Sequence, residues 1–400
     1  MAKTIYRTIS SIAILLLIII LFSSNDDNGC GGRGTIIEPV IQKCPSVPEY
    51  QTVNIYIESS GSMVGYFNGN SQIKEILKQY HDRITEDTSI SDTVTLNFIN
   101  QSIDEYHNDI SSYLTVAASK CTASYTKIDD ILNIAMKGVN DSTTNILVSD
   151  YCFTSDKGSF QTAESGITKI FRENIDKNKD LSVAIFKYMS DFRGKFFPGG
   201  IKCNQPRPFY IWIFGNKKQI KKLVNLDIKN ENCGNFLLQL NTEVPIELNK
   251  KAKNANARMF NRDGSVKVED WDKDRNSIRG EVSYSLEFTA DMSNVILSDD
   301  ELLNVDNYSI NKEYDIISVE NISESKFYYK IITTKPSPGI VRISYLIPEL
   351  PEWVIKSNYE GKGIPSDSTT LGVKYLIEGV YDAFCNKKNN KYFSFDIVLK

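Results

Sequence analysis

Apolar residues recur at two different periods along this chain, and the point where the period changes divides it. Val53, Ile55, Tyr56 and Ile57 form a short run that is apolar on both faces, as a buried strand requires. Ile73, Ile76, Leu77 and Tyr80 then recur at helical spacing and predict a helix over 71–84. Thr93–Ile99 alternates and is β-branched, a strand. Ile128, Ile131, Leu132 and Ala135 share one face of a helix within Tyr125–Lys137, and Asn145–Ser149 is a further buried strand. Ile167, Ile170 and Phe171 mark a third helix. Leu181–Phe186 and Phe209–Phe214 read as strands, the second followed by a Lys-rich helix over 217–225. Strands alternating with helices predict an α/β fold with a Rossmann-like, doubly wound and mostly parallel sheet. Residues 188–208, with Gly194, Pro198, Gly199, Gly200, Pro206 and Pro208, read as a long excursion of the functional kind.

From about residue 240 the texture changes. Glu281–Thr289, Tyr314–Val319, Phe327–Thr333, Ile340–Leu346 and Tyr392–Leu399 are alternating or β-branched runs separated by turns, which predict a β-rich, sandwich-like region. The polar, aperiodic piece 249–280 reads as a loop or long hairpin excursion. Leu371, Tyr375, Leu376, Val380 and Phe384 fall at helical spacing, so one helix is expected against the sandwich. The domain boundaries that follow are 51–235 for the α/β domain and 236–400 for the β-rich one.

The amino-terminal stretch has a pattern of its own. Lys3 and Arg7 precede the apolar run Ile12–Phe22, and Ser23, Ser24, Asn25, Asp26 and Asp27 follow it. A basic start, a short apolar centre and a polar exit describe a signal peptide or signal anchor over 1–24. The positive end stays in the cytoplasm and sends the remainder outward. A full span needs ~20 largely apolar residues, so cleavage and retention both stay open. Residues 25–50 are Gly-, Asp- and Pro-containing and read as a tether. Cys30 follows Asp27-Asn28-Gly29, a poor context for lipid attachment. The expectation is an exported chain, membrane-anchored or periplasmic, of a bacterial cell envelope.

Composition narrows the function. A chain of 400 residues is too long for one compact core. A net charge of −4 excludes a dedicated nucleic-acid binder. Only two histidines, His81 and His107, occur, both in polar contexts, which excludes a multi-His zinc site and a histidine-based hydrolase. Seven cysteines fit an oxidising compartment, and none forms a CxxC pair. Asp129 and Asp130 suit the first turn of a helix. Lys217, Lys218, Lys221 and Lys222 read as a solvated helix face. Trp271, Phe192, Phe196 and Phe197 are either recognition surface or core.

The chemistry gathers at three places. Glu58, Ser60 and Ser62 follow the first strand at every second position, with Gly61 allowing a tight turn. Thr126 opens the second helix in TASYTKIDDIL, and Asp150 ends the strand NILVSD. In a doubly wound sheet these converge on one rim, at a topological switch point. Two carboxylates and three hydroxyls make an all-oxygen set suited to Mg2+ or Mn2+. The competing role for the hydroxyls is turn and helix capping, and for Asp150 a strand-end turn.

The order and spacing of these segments resemble a von Willebrand factor type A domain carrying a metal-ion-dependent adhesion site. That family's pattern is Asp-x-Ser-Gly-Ser, then Thr before a helix, then Asp after a buried strand. Here it falls on Glu58-x-Ser60-Gly61-Ser62-Met63, Thr126 and Asp150, and covers about 51–230. The resemblance implies a Rossmann-like sheet and a divalent ion whose open position is completed by an Asp or Glu carboxylate of a protein partner. Glu58 departs from the pattern by one methylene, which shifts or weakens an octahedral site. With this fold, Cys121 and Cys152 lie on one rim and are a candidate disulfide, with Cys203 and Cys233 a second candidate pair; the alternative for each is a free, buried and inert thiol. The function implied is a membrane-tethered, non-enzymatic binding protein. The alternatives are a structural envelope component with a degenerate metal site and a metal-assisted phosphoester hydrolase. The sequence lacks the Gly-rich phosphate loop and GxSxG expected of such enzymes.

Overall fold

The computed structural model describes residues 50–400 apart from 125–126, 154–158, 197–199, 231, 249–256, 261–264, 269–271, 275–282, 312, 324, 335–337, 362–364, 386–389 and 400. The leader 1–24, nearly all of the tether 25–50, Cys30, Cys44, Thr126, Phe197 and Trp271 therefore lie outside the described residues. Among the described residues, no helix is long and apolar enough to cross a membrane.

The fold is mixed α/β, built on a seven-stranded sheet. Its strands are β1 (Thr52–Glu58), β2 (Thr93–Ile99), β3 (Ile103–Tyr106), β4 (Thr143–Ser149), β5 (Leu181–Ser190), β8 (Arg207–Asn216) and β9 (Gly234–Gln239). A separate two-stranded hairpin, β6 (Arg193–Phe196) and β7 (Ile201–Asn204), extends from β5 and β8. The sheet order is β3-β2-β1-β4-β8-β5-β9. β1 pairs in parallel with β2 and β4, while β3, β8 and β9 run antiparallel to their neighbours.

The expected sheet was mostly parallel, and its right half is not. β5 and β8 pair from Leu181↔Asn216 to Ser190↔Arg207, and β6 and β7 continue the same ribbon from Arg193↔Asn204. Two strands joined by a hairpin, with no crossover helix, can only pair antiparallel. The expected excursion at 188–208 is thus the far end of one long hairpin, which inserts β8 between β4 and β5.

Eight helices occur among the described residues: α1 (Gln72–Glu86), α2 (Ile110–Lys120), α3 (Ile128–Met136), α4 (Phe160–Lys177), α5 (Lys217–Val224), α6 (Asp299–Leu303), α7 (Glu352–Lys356) and α8 (Val373–Phe384). Alternation along β8 places Phe209 and Phe214 on opposite faces of the sheet. Phe209 meets Tyr66 and Tyr188, and Tyr188 in turn bonds Tyr80 of α1. Phe214 meets Phe171 of α4. Helices α1 and α4 therefore cover opposite faces, and the sheet core between them is fully buried, including Ile55, Ile57, Val148, Ile185 and Trp212.

Two expectations about helices are corrected. The helix at 371–384 was expected on the β-rich strands, but α8 packs on α4. Phe160 stacks on Tyr375 at 4.9 Å between ring centres, and Thr168 donates to the Gly379 carbonyl at 3.0 Å. The apolar stripe finds a better partner in the exposed stripe of α4 than in the strands that precede it in sequence. The lysines of α5 are not all solvated: Lys217 and Lys221 are buried. Lys221 Nζ donates to the Met292 carbonyl at 3.0 Å and Lys217 lies 3.5 Å from Asp180, so each buried ammonium has an oxygen partner.

Beyond β9, two further sheets form. One centres on strand 391–399, flanked by 339–346 and by 265–268; the other runs 246–248, 283–291, 326–333, 315–323. Phe288 and Tyr329 of the second meet Phe395 of the first, at 5.4 and 5.7 Å between ring centres. The polar stretch 249–280 contributes short strands at 257–260, 265–268 and 272–274.

Candidate functional site

The register of the sheet brings the strand ends together. Ile57 is paired with Val148, so Glu58 arrives level with Ser149 and Asp150 follows immediately. The serine-rich turn after β1 is fixed by backbone bonds to the segment before α3: Gly61 N donates to the Ala123 carbonyl at 2.8 Å, and Ala123 N to Ser59 at 3.1 Å. Antiparallel β8 begins at this same rim with Arg207.

Glu58, Ser60 and Asp150 are buried, at 2, 4 and 8 % exposure. Ser60 Oγ and Ser62 Oγ lie 2.9 Å apart, and the Ser62 hydroxyl stands close enough to Asp150 to favour its anion. The Ser62 side chain makes no capping bond to the 3-10 turn Met63–Tyr66 that it precedes; its hydroxyl is bonded to Ser60 instead. Asp150 Oδ1 also accepts from Cys152 N at 3.0 Å, which is the strand-end turn its residue type favours. Glu58 accepts a short hydrogen bond from Ser149 Oγ, and that oxygen accepts from Tyr151 N at 2.7 Å. The structure thus assembles Glu58, Ser60, Ser62 and Asp150; Thr126 lies outside the described residues.

A buried carboxylate beside another charge of the same sign costs more to ionise, and Asp150 is so placed. Burial and the Glu58 charge push the Asp150 carboxyl up to about 7, against the Cys152 amide, the Ser62 hydroxyl and the Arg207 guanidinium, which all favour the anion. Burial pushes the thiols of Cys121 and Cys152 up, with Glu58 and Asp150 adding to it. Cys121 Sγ donates to the Glu58 carbonyl at 3.6 Å, and Cys152 lines a cavity beside Asp150. No disulfide joins Cys121, Cys152, Cys203, Cys233 and Cys385, so the candidate Cys121–Cys152 and Cys203–Cys233 bridges are absent among the described residues. Cys121 is turned beneath the end of β1, away from that cavity.

Sequence reasoning missed three contributors. Arg207 is 4 % exposed and donates to the Ser366 and Thr369 carbonyls at 2.9 and 2.6 Å. Lys187, also buried, donates to Ser357 Oγ at 2.7 Å and the Ser368 carbonyl at 3.1 Å. Phe153 N bonds the Leu371 carbonyl at 2.9 Å. These contacts hold the segment Ser366–Leu371 across the rim. The result is a cavity of about 10 Å³ lined by Ser62, Asp150, Cys152, Arg207, Thr370 and Leu371 among others, close to the room one water requires. The signal for Arg207 was present, since a charge opening the otherwise apolar run RPFYIWIF must find a partner when buried. Residues 366–371 carry no local signal, because their role depends on contacts far away in sequence.

Beneath the rim, Tyr151 is buried with φ +48, a conformation that costs a non-glycine residue about 1 kcal/mol or more. It stacks on Trp212 at 4.3 Å between ring centres. The ring contact holds the strained residue and so fixes where Asp150 points.

Phe192 is core, packed edge-on against Tyr66 at 4.8 Å. His107 is exposed, and His81 bonds Asp82 at 3.1 Å on the surface of α1. Among the described residues there is no cluster of three or more His, Cys, Asp or Glu placed to hold a metal. No protein-family model, curated protein or solved structure matches the chain.

Proposed function

We propose that this is an exported, membrane-tethered binding protein of the von Willebrand factor type A kind, without enzymatic activity, followed by a β-sandwich. It would recognise an acidic group of a protein partner through a divalent cation at the strand-end rim. The observation that carries this reading is the convergence of Glu58, Ser60, Ser62 and Asp150 on one strand-end rim, where Ser60 and Ser62 bond each other and Ser62 and Asp150 line one cavity. The order β3-β2-β1-β4 puts that rim where a parallel pair diverges, a favoured ligand position in α/β sheets.

The donor chemistry fits a hard cation. Every side-chain donor is oxygen, and the repulsion that raises Asp150 is what a cation relieves. Ser60, Ser62 and Asp150 would hold Mg2+ or Mn2+, with Glu58 acting through its free oxygen or a water, and Thr126 completing the set. A bound ion would supply an open coordination position for a carboxylate. Ser149 orients Glu58, Tyr151 and Trp212 fix the Asp150 turn, and Thr370 and Leu371 restrict access.

A second reading, a structural envelope component with a degenerate site, draws support from Glu58. Its carboxylate is buried and already bonded by Ser149, and the segment 366–371 narrows the entrance. A phosphoester hydrolase has less support, since neither histidine lines the cavity.

Calorimetric titration of Mg2+ and Mn2+ into the full chain separates the two. Saturable heat in the wild type, lost in Ser60→Ala/Ser62→Ala, is expected. A wild type that gives no heat removes the cation reading and leaves the structural one.

A further inference from the structure

A groove of about 690 Å³ lies between the β6–β7 hairpin and the turn after β1, lined by Gly61, Val64, Arg193, Lys195, Lys202 and Asn204 among others. We propose that it is a docking surface for an extended acidic segment of a protein partner; it adjoins the Asp150 cavity, which Lys195 also lines, but does not depend on a cation there.

The register of the hairpin carries the argument. Arg193 pairs with Asn204 and Lys195 with Lys202. Residues 193 and 195 share a face by alternation, and directly paired residues share a face, so all three cations stand on one side of the ribbon. Like charges directly opposite one another destabilise a β pair. All three are exposed, and none has an acidic partner among the described residues. The chain as a whole carries net charge −4, so this face stands apart from the rest. Such concentrated, unbalanced charge accelerates and orients association with an oppositely charged ligand.

The groove is also held in shape. A Cβ on Gly194 would come within 2.7 Å of Gly65 Cα, so the hairpin rests backbone to backbone on the turn Met63–Tyr66. Tyr66 and Phe192 lock that contact by ring packing. The opposite edge of the ribbon, β7, pairs with no other strand among the described residues, and Ile201 beside Lys202 is 62 % exposed. An open strand edge with one apolar and several basic side chains suits an extended peptide that alternates acidic and apolar residues. A free phosphate or a lipid headgroup would leave the strand edge and Ile201 unused, which favours the peptide.

The test uses the full-length chain in chelator and a labelled peptide of about ten alternating Asp and Val residues, read by fluorescence anisotropy. Binding is expected to persist without divalent cation and to weaken as salt rises. The Asn/Val counterpart should bind at least about tenfold more weakly, and Arg193→Glu/Lys202→Glu, which spares the Asp150 cavity, should weaken the acidic peptide by a similar factor. Arg193 and Lys202 are both exposed, and circular dichroism confirms that the variant is folded. Equal binding by wild type and the double variant overturns the proposal. So does competition by inorganic phosphate or phosphatidylglycerol vesicles at equal charge concentration, which would assign the face to phosphate groups. Binding that requires Mg2+ and is lost in Asp150→Ala, but survives the double variant, would reject the groove while upholding the cation site. Failure of the cation site alone leaves the chelator-resistant binding in place.

Discussion

Ser62 and Asp150 show how a residue's role is decided by its neighbours rather than its type. Ser62 sits where a helix cap belongs, yet its hydroxyl bonds Ser60 and, beside Asp150, favours that carboxylate's anion. Asp150 keeps its proton to about pH 7 in the folded chain, well above its ordinary range. The folded state therefore binds more protons than the unfolded state between those limits, and stability falls as pH rises through them. In metal-free buffer, Asp150→Asn should differ little from wild type below about pH 4 and should be the more stable by a few kcal/mol above about pH 7. Urea midpoints across this range check it, and a difference that does not change with pH rejects it. At the higher pH, Mg2+ should recover the wild type and leave the Asn variant unchanged, since a cation competes with the proton for the same oxygens. Glu58, Ser60, Ser62 and Asp150 were legible because spacing along a strand end is local. Arg207 was legible only as an oddity, because its partners lie more than a hundred residues downstream.

At the scale of elements, apolar periodicity located most strands and helices but not their directions. TVTLNFI and the five β-rich runs fall where the alternation places them. FYIWIF is a strand as expected, yet its antiparallel placement depends on the hairpin turn, not on its own pattern. The strand Ile103–Tyr106 escaped notice because it is short and largely exposed; helix Ile110–Lys120 also escaped, although Ile110, Tyr113, Leu114 and Ala117 recur at helical spacing. Helix α8 was found but given the wrong partner, since an apolar stripe states that it is buried without stating against what. Its seat on α4 depends on Gly379, where an added Cβ would lie 2.6 Å from the Glu164 carbonyl and 3.0 Å from Ile167 Cβ. Gly379→Leu should force the helices apart and destabilise the chain by about 1–3 kcal/mol, with Gly379→Ala intermediate. Denaturant midpoints measure this, and an unchanged midpoint for the Leu variant would show that α8 does not seat as described.

Across the whole molecule, the part of the chain after residue 235 is built into the part before it. β9 begins at Gly234 and forms the edge of the seven-stranded sheet, pairing with β5 from Lys187↔Gly234 to Ser182↔Gln239. Trp353 Nε1 donates to the Asn235 carbonyl at 3.0 Å, and α8 covers α4. Most consequential are the buried cations: Lys187 and Arg207 of the sheet have carbonyls at 366, 368 and 369 as partners. A chain cut after Asn235 would lose these carbonyl partners and open the rim they cover to solvent. It would also lose the rest of an edge strand and expose the apolar face of α4. Single domains unfold with net stabilities of only about 5–15 kcal/mol, so these losses together should remove a cooperative fold. The full chain should unfold in urea through one transition, coincident by far-ultraviolet circular dichroism and tryptophan fluorescence. The shortened chain should show a broad, shallow change or aggregate. A sharp transition at the wild-type midpoint in the shortened chain would mean that the seven-stranded sheet stands alone and that 366–371 only rests upon it. In that event the narrow entrance at Asp150 would be a removable cover rather than a wall, and cation binding should be tighter in the shortened chain than in the full one.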